Sequence, residues 1–279
     1  MSGSVFVERA ASRHCSQSMA DLDFHTTTCF RAWPSSRLSI DDQSFSTTSS
    51  DAETLTAQTD PTLWRIDRFR EELACVVHTL ELSQYHLWGH SWGAQLALNY
   101  AATKPAGLLS LTLAGPVIDI PNYRADLEQL VAQLPPEVQT AIRNESADTV
   151  EYSRAVNAFY RAHLHTMSPW PALWSAALSP ERFGQQTYET MIGVDELHYT
   201  GALRDVDDST LLPHVAAPMG IHCGSTDIAT PQRCEQYRFQ AGDAELEVFE
   251  GSSHAFFDEE RSFYLERLQA FLLRCESAH

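Results

Sequence analysis

The chain has 279 residues, which is long for one simple domain, and 43% of them are hydrophobic, enough to build a sizeable core. Its 37 acidic and 19 basic residues give a formal net charge of −18 at pH 7. This charge disfavours nucleic acid and anionic membranes as partners, because both bind basic patches. It suits attraction of a cationic substrate, but an acidic surface that keeps a protein in solution explains most of it.

The cysteines form no C-x-x-C pair and no zinc-binding spacing, which indicates free thiols in a reducing compartment. The N-terminus has no basic region followed by an apolar run, and no stretch approaches eighteen consecutive apolar residues. We therefore expect a soluble, cytoplasmic protein. The six cysteines are Cys15, Cys29, Cys75, Cys223, Cys234 and Cys275.

Residues 1–60 show little periodic pattern. Only residues 5–7 and 37–40 favour β-strands, and residues 41–60 contain nine Ser or Thr, a composition typical of a linker. We interpret residues 1–60 as a degenerate N-terminal segment that supplies few strands.

The pattern becomes clear from residue 61. Apolar residues at helical spacing predict a helix over 63–80, and a short strand is predicted at 85–88. Gly89-His90-Ser91-Trp92-Gly93 and a helix over 94–102 follow. Strand, G-x-S-x-G and helix together indicate a nucleophile elbow, whose tight turn strains the backbone of Ser91 and points its hydroxyl into a cleft. The N–H of Trp92, at the start of the helix, would face a developing oxyanion.

After a strand at 109–114, residues 118–205 read as helices without a strand. Helices are predicted at 123–134, 149–165 and 188–191, and the stretch is rich in aromatic residues. An all-helical insertion between strands is typical of a cap over an active site. We therefore assign 61–117 and 206–279 to an α/β core and 118–205 to the cap.

Two later strands, at 219–223 and 246–249, each run into a loop that holds a polar candidate. A serine nucleophile needs a base, and the base needs an orienting carboxylate. Asp227 and His254 follow Ser91 in the order that this arrangement requires, and both lie past the C-terminal end of a strand. The alternative for His254, one of twelve histidines, is a surface loop residue. A helix over 257–275 ends the chain.

From about residue 61 the sequence resembles the proline iminopeptidase family of α/β-hydrolases, which includes the tricorn-interacting aminopeptidase and amino-acid amidases. The resemblance implies an α/β-hydrolase core with an inserted all-helical cap, and it implies no metal or organic cofactor. The matching stretches are collinear and cover roughly three-quarters of the chain: 61–64, 68–69, 89–97, 134–138, 159–161, 188–193, 200–205 and 224–231.

Members of this family hold the free N-terminal amine of the substrate with acidic residues, one of them in a Gly-x-x-Glu stretch. Residues 193–196 match it, so the resemblance assigns amine binding to Glu196; the alternative is a solvated glutamate on the cap. The family's second acid falls at Ile228 here, a departure that should weaken amine binding. Asp195 is a possible replacement.

A second departure concerns the oxyanion hole. The family's His-Gly-Gly-Pro-Gly loop supplies the second oxyanion N–H, and no such motif occurs here. Alignment on the Asp42-Gln43 pair brings residues 14–17 near the expected position, and they contain no glycine. A frameshift, mis-splicing or real divergence would each explain the difference.

The sequence predicts a serine aminopeptidase that releases N-terminal proline, or a similar residue, from small peptides or amides through an acyl-enzyme. One alternative is an esterase or amidase on the same triad, which Ile228 favours. Another is a catalytically impaired remnant, which residues 1–60 favour. If the N-terminal strands do not pair, one flank of the elbow strand stays open and the protein is marginally stable.

Overall fold

The computed structural model describes residues 4–9, 37–41, 64–144, 150–171 and 185–278. The strands within these ranges are β1 Ser4–Arg9, β2 Arg37–Asp41, β3 Tyr85–His90, β4 Leu108–Ala114, β5 Met219–Gly224 and β6 Glu245–Phe249. They form one six-stranded sheet in the order β2-β1-β3-β4-β5-β6. β3 to β6 run parallel to one another, whereas β1 is antiparallel to both of its neighbours. The four strands predicted from residue 61 onward are confirmed, each within two residues.

Helices cover both faces of the parallel part of the sheet. The helices of the core are α1 Ile66–Thr79, α2 Trp92–Ala101, α7 Pro231–Ala241, α8 Phe256–Glu259 and α9 Arg261–Ser277. The single helix predicted over 257–275 is therefore two helices. Side chains of β3 point alternately to the two faces, so Leu87 packs in the core with α1 and α2, and Trp88 packs against α8 and α9. β3 and β5 are buried along their whole length, as expected for parallel strands covered on both faces.

The N-terminal strands pair, so the condition for an open flank beside the elbow strand is not met. β1 lies against β3 from Ser4 opposite His90 to Arg9 opposite Tyr85, and β2 pairs with the other edge of β1. Val5 and Val7 are buried in the main core. Two short strands are all that the described part of residues 1–60 contributes, in agreement with an incomplete N-terminal segment.

Between β4 and β5 the described residues form helices and no strand. These are α3 Ile120–Val131, α4 Pro136–Arg143, α5 Val150–His163, α6 Gln185–Met191 and a 3-10 helix, Ser209–His214. α3 begins before the apolar pattern does because the Asp119 carboxylate accepts a hydrogen bond from the N–H of Asn122. Trp174 and Phe183, two of the aromatic residues noted in this stretch, lie outside the described residues.

The chain segments that enter and leave this insertion lie side by side. The N–H of Ile120 donates to the Val206 carbonyl (2.9 Å), and the N–H of Asp208 donates to the Ile118 carbonyl (2.8 Å). The Asp208 carboxylate also accepts hydrogen bonds from Gln95 and Asn99 of α2, each at 2.8 Å. These contacts attach the insertion to the helix that follows the elbow. The core and cap boundaries at 117/118 and 205/206 stay a prediction.

Across the described ranges, every helix is too short or too polar to cross a lipid bilayer.

Candidate active site

Ser91 stands in the strained turn that its motif predicts. Its backbone angles are φ 57° and ψ −125°, a backbone conformation that residues other than glycine rarely adopt. A Cβ atom at Gly89 would lie 2.3 Å from the Gly93 carbonyl oxygen, so only glycine fits at position 89. Ser91 is held at the end of β3 by a hydrogen bond from its N–H to the Ala114 carbonyl (2.9 Å).

Trp92 is the first residue of α2. A backbone N–H at that position has no acceptor within its own helix, which leaves it suited to bind an anion. The indole ring packs edge-on against Phe69 of α1, with ring centroids 5.0 Å apart. Residues 14–17, near which a second oxyanion donor was expected, lie outside the described residues.

Asp227 and His254 form a buried pair. His254 Nδ1 lies 2.6 Å from Asp227 Oδ1, and both side chains are fully buried. The same carboxylate accepts hydrogen bonds from the N–H groups of Ala229 (2.8 Å) and Gly224 (3.3 Å). His254 Nε2 is also buried and finds no hydrogen-bond partner within the part of the chain that the structure describes. Because carboxylates only accept, the proton lies on Nδ1 and Nε2 is left as the basic nitrogen. The alternative of a surface histidine does not fit this burial.

The loops after β5 and β6 are joined to each other and to the end of β4. Thr226 donates to the Ser252 carbonyl through its N–H (3.0 Å) and its hydroxyl (3.1 Å). Gly115 follows β4 with φ +51°, and a Cβ atom there would lie 2.7 Å from His254 Nδ1 and 3.3 Å from Asp227 Oδ2. The carboxylate–imidazole pair therefore rests directly on a glycine backbone.

His90, the residue before Ser91, packs against the other side of the pair. Its ring centroid is 4.3 Å from that of His254, and its Nε2–H donates to the His254 carbonyl (3.0 Å). Burial, and to a lesser degree His254, lowers the pKa of His90 well below its usual value. His90 therefore stays neutral and places no positive charge beside His254.

Glu196 is buried among tyrosines. Tyr188 donates its hydroxyl to Oε1 (2.8 Å) and Tyr123 donates to Oε2 (3.4 Å). Burial raises the pKa of the Tyr123 hydroxyl well above its usual value, and the charges of Glu196 and, more weakly, Asp227 act in the same direction. Tyr123 thus lies within electrostatic range of both carboxylates. The alternative of a solvated glutamate does not fit this environment.

The carboxylate of Asp195, the candidate replacement for the family's second acid, accepts hydrogen bonds from the residues that follow it and from α5. The donors are the N–H groups of Leu197 (2.9 Å) and His198 (3.0 Å), the His198 ring (3.0 Å) and the Tyr152 hydroxyl. Burial alone would raise the pKa of Asp195, but the bonds from His198 and Tyr152 lower it. Three of these four donors fall on Oδ1 and one on Oδ2, so most of the acceptor capacity of Asp195 is used by residues of the insertion. Ile228, at the position of the family's second acid, is buried.

Sequence reasoning assigned no role in this site to Gly115, which follows the strand predicted at 109–114, or to His90, which belongs to the elbow motif. The described residues hold no group of three or more His, Cys, Asp or Glu side chains arranged to bind a metal ion. A strained serine stands between β3 and α2, and a buried carboxylate–imidazole pair lies in the loops after β5 and β6. This is the arrangement of an α/β hydrolase.

Comparison with known proteins narrows this class. A family model described as an α/β hydrolase fold matches residues 42–261. The proline iminopeptidase of Heyndrickxia coagulans is 34% identical over 217 residues, which are 76% of this chain and 75% of the relative. The chain belongs to the proline iminopeptidase family of α/β hydrolases, as its motifs predict.

Two solved structures are similar to this chain over most of its length. The crystal structure of a proline iminopeptidase from Mycobacterium smegmatis has a TM-score of 0.79 and 27% identity, covering 88% of this chain and 82% of that one. The crystal structure of a protein named VinJ has a TM-score of 0.78 and 30% identity, covering 86% of this chain and 81% of that one.

Proposed function

We propose that the chain is a serine hydrolase that releases N-terminal proline, or a similar residue, from small peptides or amides. Ser91 attacks the scissile carbonyl, and His254 takes the hydroxyl proton and returns it to the leaving amine. Asp227 holds the imidazole in the required tautomer. The Trp92 N–H stabilises the oxyanion, and water hydrolyses the acyl-enzyme.

The observation that carries the proposal is the state of His254. Its Nδ1 is bonded to Asp227, and its buried Nε2 has no partner within the described residues. A buried nitrogen acceptor without a partner is costly for stability, so its retention in a ring that packs against His90, the neighbour of the strained Ser91, favours a chemical role. A hydrogen bond from the serine commonly forms only when substrate binds.

Two further observations support the choice of substrate. The relatives named above are proline iminopeptidases, and Glu196 provides a buried carboxylate that suits an ammonium group. The helical insertion, residues 118–205, carries Glu196 and would act as the cap that closes the substrate pocket. The partner is therefore a small peptide or amide with a free N-terminal amine, and neither nucleic acid nor a membrane is expected.

An esterase or amidase on the same triad is the second candidate. Ile228 favours it, because the residue after Asp227 carries no charge to hold an amine. An impaired enzyme is the third candidate, favoured by the absence of His-Gly-Gly-Pro-Gly, since one missing oxyanion donor costs about 10²–10³ in kcat.

The test uses the full-length chain and its Ser91→Ala variant. A fluorophosphonate probe should label the wild type at Ser91 and leave the variant unlabelled, and hydrolysis should fall by about 10⁴- to 10⁶-fold in the variant. Proline and alanine p-nitroanilides, compared with p-nitrophenyl esters, then separate the aminopeptidase from the esterase. Labelling at another serine would overturn the triad assignment.

A further inference from the structure

The end of α5 contacts both loops that carry the proposed acid and base. The N–H of His254 donates to the His163 carbonyl (3.0 Å), and the N–H of Ala255 donates to the Leu164 carbonyl (3.0 Å). These two hydrogen bonds hold the segment at the end of α5 against the loop after β6. The backbone on either side of the His254 side chain is therefore fixed by residues of the insertion.

The His163 side chain contacts the other loop. Its Nδ1 lies 2.9 Å from the carbonyl oxygen of Thr226, the residue before Asp227. A carbonyl only accepts, so Nδ1 carries the proton in this bond. The ring is mostly buried and packs against Phe159 one turn earlier in α5, with centroids 4.9 Å apart. Burial lowers the pKa of His163, so the ring is neutral near pH 7.

We propose that His163 is a positioning residue that sets the distance between Asp227 and His254. One residue binds the acid-bearing loop through its side chain and the base-bearing loop through its carbonyl. The 2.6 Å bond between Asp227 and His254 requires both loops to keep their places. This inference rests on the proposed serine hydrolase function, and it makes catalysis depend on the insertion as well as on the core.

The test compares three substitutions. His163→Asn keeps an N–H donor near the position of Nδ1, His163→Gln moves the amide to the position of Nε2, and His163→Leu keeps the approximate volume without a donor. The matched control is His86→Leu. His86 is also a buried histidine with a short Nδ1 contact, 2.7 Å to Ser110 Oγ, but it lies at the opposite end of β3 from Ser91.

We expect His163→Leu and His163→Gln to lower kcat and the rate of fluorophosphonate labelling at Ser91 by about 10- to 100-fold, with little change in KM, because small displacements of a catalytic group cost rate rather than binding. His163→Asn should recover most of the rate. His86→Leu should lower the melting temperature and leave the labelling rate unchanged. If His163→Leu does not fold, the Asn and Gln variants alone make the comparison.

The outcomes separate this inference from the function on which it rests. If the wild type is not labelled at Ser91, the proposed function is wrong and the inference with it. If the wild type is labelled, and the Leu and Gln variants label at the wild-type rate, His163 only stabilises the fold and the inference alone is overturned. Equal rate losses in the Asn and Gln variants would also overturn it, because the donor position would not matter.

Discussion

At the scale of single residues, the carboxylate of Glu196 is the group on which substrate choice should depend. Glu196→Gln keeps the shape and one oxygen that accepts from a tyrosine hydroxyl, but it removes the charge. We expect KM for substrates with a free amine to rise by about 5- to 150-fold, equivalent to about 1–3 kcal/mol for a charge-assisted hydrogen bond. N-acylated substrates and simple esters should change little.

Steady-state kinetics on paired free and N-acetylated substrates measure this difference. Glu189→Gln is the control, because Glu189 is an exposed acid on the same part of the insertion. Equal changes in KM for all substrates would mean that Glu196 does not bind the amine of the substrate.

Gly115 offers a second prediction at this scale. Gly115→Ala would place a methyl group 2.7 Å from the His254 ring and strain a backbone with φ +51°. Displacement of the imidazole should lower kcat by roughly 10²-fold, and the backbone strain should cost about 1–2 kcal/mol of stability.

Gly242→Ala separates these two effects. Gly242 also has a positive φ, +83°, but a Cβ atom there would meet no atom within 4 Å. Thermal unfolding and the rate of Ser91 labelling should show that both variants lose stability and that only Gly115→Ala loses activity. A fully active Gly115→Ala enzyme would contradict the close packing described here.

At the scale of elements, an ionic cluster joins the segment after α5 to the loop before α8. Glu259 accepts hydrogen bonds from the N–H (2.7 Å) and hydroxyl (2.8 Å) of Ser253 and from Thr166, and it lies 3.4 Å from His165 Nδ1. Burial alone would raise the pKa of Glu259, but His165, Ser253 and Thr166 lower it to about 2. Ser253 precedes His254, so this cluster supports the base-bearing loop.

The pH dependence of stability follows from the two shifted groups. Because the pKa of Glu259 falls from 4.5 to about 2 on folding, its stabilisation is complete above pH 4.5 and is lost as the pH falls toward 2. Asp258 and Glu259 raise the pKa of His165 above 6.5 despite burial, so its stabilisation is complete below pH 6.5 and is lost as the pH rises through the folded-state value. The cluster therefore contributes most to the stability of the fold between pH 4.5 and pH 6.5.

The variant Glu259→Gln tests this pH dependence of stability. We expect it to lower the free energy of unfolding by about 1.5–3 kcal/mol at pH 6, with a difference from wild type that shrinks below pH 4.5. Chemical denaturation across this pH range measures it. Glu235→Gln, which removes a partly exposed ion pair with Arg238, should leave the unfolding midpoint nearly unchanged. A difference that is constant from pH 6 to pH 3 would show that the charge of Glu259 does not matter.

The same elements show what the sequence could predict. The parallel strands and the elbow follow from apolar runs and glycine positions within a few residues, and both were predicted. The break between α8 and α9 was missed because the apolar pattern continues across Glu260, whose backbone leaves the helical region. The contacts of His163 and Glu259 were missed because they join residues far apart, such as Thr166 and Glu259 at a separation of 93 positions, which no local period reveals.

At the scale of the whole molecule, the N-terminal strands complete the sheet that holds the serine. β1 hydrogen-bonds along the full length of β3, and Ser91 immediately follows β3. Without β1, the backbone of β3 would present unpaired N–H and C=O groups beside apolar surface, an edge that favours aggregation. The sequence predicted these strands only weakly because each is short and no apolar pattern connects them to the rest of the core.

Val7→Asp tests the dependence of the elbow on β1. Val7 is fully buried opposite Leu87 of β3, so an unpaired carboxylate there should cost about 2–4 kcal/mol, detach β1 and reduce labelling at Ser91. Val150→Asp is the control, because Val150 is 67% exposed at the start of α5, where an acidic side chain is tolerated. Thermal unfolding followed with light scattering should show a lower midpoint and earlier aggregation for Val7→Asp alone. If the two variants unfold together and label equally, β1 does not stabilise the elbow, and the remaining strands alone hold Ser91 in place.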